Sequence, residues 1–191
     1  TELGVEPGDR VAVQVSRGFE DLMLYLGTVR AGAAYLPLNT AYTAAELDYF
    51  LGDAKPSLVV CREQTETDVA KVCGSARLLT LGDDGESGSL LEAVNAADPE
   101  FEDVARNDDD LAAILYTSGT TGPPKAIVHT AGGALINLLK EHVLHSNIDH
   151  RSCVGFYSTT NWMMWHWLFH CLAAGASIYL YDGDPLWKRM A

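Results

Sequence analysis

A chain of 191 residues, 48% of them hydrophobic, is long enough to bury a sizeable core in one or two domains. Its formal net charge of −13, with Lys and Arg scattered singly, excludes the basic stripe that a nucleic-acid footprint requires. Cys61, Cys73, Cys153 and Cys171 lack the paired spacing of a zinc site and the density of a disulfide framework, so they read as reduced, buried thiols in a cytoplasmic protein.

No basic segment followed by an apolar stretch opens the chain at Thr1, so no targeting peptide is expected, and the absent initiating methionine suggests a fragment. Pro7-Gly8-Asp9 reads as a turn. Arg10 to Val15 alternates as a strand, and Phe19 to Val29 carries apolar residues at helical spacing until Gly32 stops it. Ala33 to Leu38 is a second strand, Thr43 opens a helix over Glu46 to Phe50 as a capping box, and Ser57 to Cys61 is a third strand. A helix around Gln64 to Val72 and a short strand at Leu78 to Leu81 continue the series. Strands separated by helices in this rhythm predict an α/β fold, its parallel sheets covered by helices on both faces.

From Gly82 to Asp110 the sequence is acidic and rich in glycine, with one helix at Leu90 to Ala96, and reads as a connector. The expected division is therefore a first α/β subdomain over residues 1–106, its acidic connector starting near residue 82, and a second over 107–191. The second unit should hold a strand at Leu111 to Tyr116, another at Ala126 to His129, and a helix from about Thr130 to His145. A strand near Cys153 to Tyr157, a helix around Trp162 to Ala173 and a strand at Ser177 to Tyr181 complete it. The stretch between Arg151 and Asp182 carries no Asp, Glu, Lys or Arg, but Gly175 interrupts it and Ser177 to Tyr181 is β-rich, so no membrane span is expected. His142 with His145, and His166 with His170, stand at helical spacings that could seat a metal. Apart from Cys171 no cysteine or carboxylate completes a ligand set, and no metal ligand is assigned.

Between the strands at Leu111 and Ala126 lies the run Tyr116-Thr117-Ser118-Gly119-Thr120-Thr121-Gly122-Pro123-Pro124-Lys125. Its glycines let backbone amides approach an anion, its hydroxyls are short donors, and Lys125 adds a point charge, the only Lys or Arg between Asn107 and Thr130. A phosphate is the ligand such a loop suits. The P-loop of kinases and GTPases is excluded, because that motif needs Gly-Lys-Ser/Thr opening a helix, whereas Lys125 follows two prolines and precedes a strand. A plain hairpin turn would seldom need more than about five residues.

The ten residues from Tyr116 to Lys125 resemble, without interruption, the phosphate loop of the adenylate-forming (AMP-binding) superfamily, which includes acyl-CoA synthetases and the adenylation domains of peptide synthetases. Tyr35 to Leu47 is similar to the corresponding stretch of malonyl-CoA synthetases. Ala126 to His129, Gly132-Gly133, Trp162 to Trp165 and Tyr181-Asp182-Gly183 look like acetoacetyl-CoA synthetases, although Ala131 stands where those enzymes usually have histidine. A divergent relative and a chimeric join are both open.

The resemblance implies a piece of the large N-terminal domain of an acid-thiol ligase, which activates a carboxylate with ATP and magnesium and passes the acyl group to coenzyme A. It makes Thr117, Ser118, Gly119, Thr120, Thr121, Gly122 and Lys125 the pyrophosphate-side clamp, with Lys125 its catalytic cation. Trp162, Met163 and Met164 would line the acyl pocket and thiol entry, with simple core packing an equal alternative. The segments that would bind adenine, magnesium and ribose, and the C-terminal domain with its catalytic lysine, are expected beyond Ala191, so the piece alone should lack catalysis. Acetoacetate and malonate stay open as the small-molecule carboxylate. An adenylation domain that loads a carrier protein and a truncated, non-catalytic α/β stub are the alternatives.

Overall fold

The computed structural model describes residues 2–117, 123–181 and 183. Alternation along β1 (Arg10–Gln14) sends Val11 and Val13 to one face of a sheet and Ala12 to the other. The same alternation in β2 (Ala34–Pro37) and β3 (Leu58–Arg62) places Tyr35, Leu58 and Val60 on the first face, and Leu36, Val59 and Cys61 on the second. Two buried faces require two helical layers. The first is covered by α1 (Phe19–Arg30) and α4 (Ser89–Ala96), with α6 (Met163–His170) packed on the same core through Trp165, Leu168 and Phe169. The second is covered by α2 (Ala44–Ala54) and the short α3 (Glu66–Val69), through Leu47, Phe50, Leu51 and Val69. Each fully buried Leu, Val or Phe contributes about 1.5–3 kcal/mol.

The six-stranded sheet runs β4-β3-β1-β2-β5-β6, where β4 is Arg77–Leu81, β5 is Leu111–Tyr116 and β6 is Ala126–Thr130. Neighbours pair parallel except β5 and β6, which are antiparallel. This is the expected α/β architecture with one addition: β6 pairs antiparallel to β5, so the chain reverses between them and β6 becomes an exposed edge. The sheet is continuous across residue 106, because β5 pairs with β2 through Tyr35 and Ala113. A separate two-stranded parallel sheet joins β7 (Cys153–Gly155) to β8 (Ser177–Tyr179).

Local sequence explains most boundaries. Thr43 caps α2 as a capping box: its hydroxyl accepts from the Glu46 amide at 3.4 Å, and Glu46 Oε2 accepts from the Thr43 amide at 2.8 Å. At the other end of α2, Arg10 donates from Nε to the Ala54 carbonyl and from Nη2 to the Lys55 carbonyl, each at 2.8 Å. Gly32, at φ +74°, ends the α1 segment in a conformation that a side chain would strain.

Three expectations need correction. The helix expected over 64–72 is broken into a 3-10 turn at Glu63–Thr65 and a single turn of α3, since only Val69 reaches the core. The helix expected from 130 to 145 is regular only in α5 (Ala131–Lys140) and finishes as a π turn at Glu141–His145, which carries His142 into the core beside Cys171 and Trp167. Cys61 and Cys171 are buried as expected, but Cys73 is half-buried and Cys153 exposed, the latter on the outward face of β7, whose Val154 packs inward. Among the described residues no helix is long and apolar enough to cross a membrane.

Candidate functional site

In a parallel sheet, ligands gather outside the carboxyl ends of the strands, where the backbone leaves loops free and helix N-termini converge. The polar loop leaves the carboxyl end of β5. Ser118 to Gly122 lie outside the described residues, but both sides of its neck are placed. The Thr117 amide donates to the Lys125 carbonyl at 3.0 Å, and the Lys125 amide donates to Thr117 Oγ1 at 2.9 Å. This double clasp closes the loop on itself and leaves the exposed Lys125 side chain free to extend.

Helix α2 braces the neck from outside. The Tyr49 hydroxyl donates to the Pro124 carbonyl at 2.9 Å, one residue before Lys125. The Tyr116 hydroxyl donates to Asp53 Oδ2 at 2.6 Å, and burial, followed by the Asp53 carboxylate, pushes that phenol far above its usual range so that it stays protonated. Between the two tyrosines lies Phe50, 4.6 Å from the Tyr116 ring centroid and 5.5 Å from that of Tyr49. Sequence reasoning missed this bracket. The only signal was the Tyr49-Phe50 pair on the apolar side of a capped helix.

A second cleft, of about 170 Å³, opens where the strand order reverses between β1 and β2. Ser16, Arg17, Asn39 and Thr40 line it from the strand ends and Thr159 and Thr160 from the segment before α6. The Arg17 guanidinium lies 3.8 Å above the Tyr157 ring, a cation–π contact that orients it at the cleft. Two residues along the chain from Thr160, Trp162 stands at the N-cap of α6 and is 59% exposed, Met163 is 42% exposed and Met164 half-buried. The first two are not core residues. Core packing in this helix falls to Trp165, Leu168 and Phe169 instead.

His142 and His166 are buried in the packing, whereas His145 is exposed and His170 half-buried. His142 is buried beside Cys171 Sγ, 3.8 Å from Nε2, and burial lowers its pKa. Burial, then the neighbouring His170 and His129, lowers His166 to about 3, so it is neutral at any working pH. Among the described residues no group of three or more His, Cys, Asp or Glu could hold a metal.

The chain matches the AMP-binding enzyme family over residues 1–191. Acetoacetyl-CoA synthetase of Danio rerio is 43% identical over 141 residues, covering 71% of this chain and 20% of that protein. Acetoacetyl-coenzyme A synthetase of Rhizobium meliloti (strain 1021) is 33% identical over 205 residues, covering 95% of this chain and 31% of its own length. Among solved structures, ATP-bound MatB from Rhodopseudomonas palustris superposes with a TM-score of 0.86 at 41% identity, over 96% of this chain and 37% of that one. The chain thus spans about a fifth to two fifths of the length of these relatives.

Proposed function

Because the chain belongs to the AMP-binding enzyme family, we propose that it is the part of an AMP-forming acid-thiol ligase that grips the triphosphate of ATP while a short carboxylate attacks the α-phosphorus. The observation that carries this reading is the clasped neck of the polar loop, with Thr117 and Lys125 locked together at the carboxyl end of a parallel strand.

In adenylation a carboxylate oxygen bonds to the α-phosphorus and pyrophosphate departs, so negative charge accumulates on the β- and γ-phosphate oxygens. Donors already fixed where that charge develops lower the barrier without reorganising. Lys125 supplies the cation and Thr117 the inner wall of the neck. Ser118, Gly119, Thr120, Thr121 and Gly122 are proposed as the remaining donors of the clamp. Trp162, Met163 and Met164 are proposed to line the acyl pocket; the first two are large exposed apolar side chains that follow Thr159 and Thr160 of the switch-point cleft in sequence. Acetoacetate or malonate is the proposed acid and coenzyme A the proposed thiol. Magnesium would travel with the nucleotide. The proposed setting is the cytoplasm.

The test uses the full-length protein and carboxylate-dependent exchange of labelled pyrophosphate into ATP. Exchange with acetoacetate or malonate supports the reading, and no exchange with any short acid overturns it. Within that assay Tyr49→Phe removes one neutral hydrogen bond to the neck, worth about 1 kcal/mol. KM for ATP should rise about fivefold with the melting temperature nearly unchanged, and an unaltered KM would detach Tyr49 from the loop.

A further inference from the structure

Asp21 lies in the first turn of α1, where a carboxylate ordinarily faces solvent and complements the helix dipole. Here it is fully buried. Its Oδ1 accepts from the Tyr35 hydroxyl on β2, and its Oδ2 accepts from Trp165 Nε1 on α6 at 2.5 Å. One carboxylate therefore joins the sheet, α1 and the first turn of α6.

Stability does not explain this carboxylate. Burial, opposed by the hydrogen bonds from Tyr35 and Trp165, raises Asp21 from the ordinary carboxylate range to about 6. A folded pKa above the unfolded one means that the fold binds the proton more tightly. Stability is thus lost as pH rises from about 4 to about 6, and at neutral pH the ionised group burdens the fold. Buried polar groups kept at such a cost are best attested where they fix one arrangement among several.

The arrangement in question is that of α6. Its other side-chain contacts to α1 are ring contacts, such as Tyr25 to Phe169 at 5.5 Å, tilted, and Tyr25 to His166 at 5.6 Å, edge-on, which lack the directionality of a charge-assisted hydrogen bond. The neighbouring His166 packs its ring on Tyr25 and Tyr35 but adds no hydrogen bond from Nε2, which is buried without a partner. Among the described residues, Trp165 Nε1 makes the one side-chain hydrogen bond that ties α6 to α1. The Trp165 amide in turn bonds the Trp162 carbonyl at 2.9 Å, so Trp165 shares a single turn with Trp162, Met163 and Met164.

We infer that Asp21 is a positioning residue for the acyl pocket: by holding Trp165 it fixes the first turn of α6 and with it Trp162, Met163 and Met164. The inference rests on the pocket role proposed for those three residues.

The test compares Asp21→Asn, Trp165→Phe and Trp162→Ala in the full-length protein at neutral pH. Two quantities are read: KM for the carboxylate against KM for ATP, and amide hydrogen exchange over α6 against α2. Asp21→Asn removes the charge and one of the two acceptor oxygens, so Tyr35 and Trp165 can no longer both donate as they do to the carboxylate, and Trp165→Phe removes the donor while keeping a ring in the core. Either should raise the carboxylate KM about tenfold, leave the ATP KM within about twofold, and speed exchange over α6 but not α2. Unchanged exchange in α6, or the two KM values rising together, would overturn the inference. If Trp162→Ala raises the carboxylate KM while Asp21→Asn does not, the inference fails and the pocket stands. If Trp162→Ala has no effect, the pocket reading fails and takes the inference with it, whatever exchange shows for Asp21 as an anchor.

Discussion

Lys125→Ala should slow adenylation about 10² to 10³-fold, a loss of about 2.7–4 kcal/mol of transition-state stabilisation typical of one well-placed donor. The clasp explains why the loss should be this clean. Lys125 is held by its backbone, through its amide to Thr117 Oγ1 and its carbonyl to the Thr117 amide, and the preceding carbonyl is held by Tyr49. None of these bonds involves the ammonium. Truncating the side chain therefore leaves the neck intact, while Pro123 and Pro124 continue to stiffen the approach. The melting temperature should stay within about 1 °C, as for most exposed side chains away from caps and cores. Lys125→Arg should recover only part of the rate, since a planar guanidinium keeps the charge but not the compact point geometry. Pyrophosphate exchange and a thermal melt on the same preparations decide the matter. A rate within about threefold of the parent would leave Lys125 without a part in the chemistry.

The elements most legible in the sequence are those fixed by local rules. The capping box needs only Thr43 and Glu46 at the right spacing, and the strand before the polar loop needs only an apolar run ended by Thr117; both stand where they were expected. The direction of β6 was not legible, because alternation marks a strand but says nothing of its partner. The pairing of β5 with β2 was hidden for the same reason. Trp162 to Met164 carried a pocket role and core packing as equal readings, and the turn of the helix separates the two, exposing Trp162 and burying Trp165. Asp21 was the least visible feature. By local rules it is a solvated acid at a helix start, and its partners Tyr35 and Trp165 stand 14 and 144 residues along the chain.

Phe50→Ala should be the most destabilising single truncation near the loop, costing about 3–5 kcal/mol. Phe50 is 2% exposed, and its ring meets Tyr42 at 4.9 Å, Tyr49 at 5.5 Å and Tyr116 at 4.6 Å between centroids. Removing it withdraws buried apolar area and the shelf on which both loop-bracing tyrosines rest. Against a total stability of about 5–15 kcal/mol, the melting temperature should fall by about 10 °C or more for a chain of this size. Phe50→Leu keeps most of the volume and should cost less than half as much. The comparison with Lys125→Ala then separates scaffold from chemistry. Loss of the ammonium should lower the rate with the melt unchanged, whereas loss of the ring should lower the melt first and raise KM for ATP through the displaced Tyr49–Pro124 bond. If Phe50→Ala melts within about 2 °C of the parent, α2 is not packed against β5 as described, and the bracing of the loop by Tyr49 and Tyr116 loses its foundation.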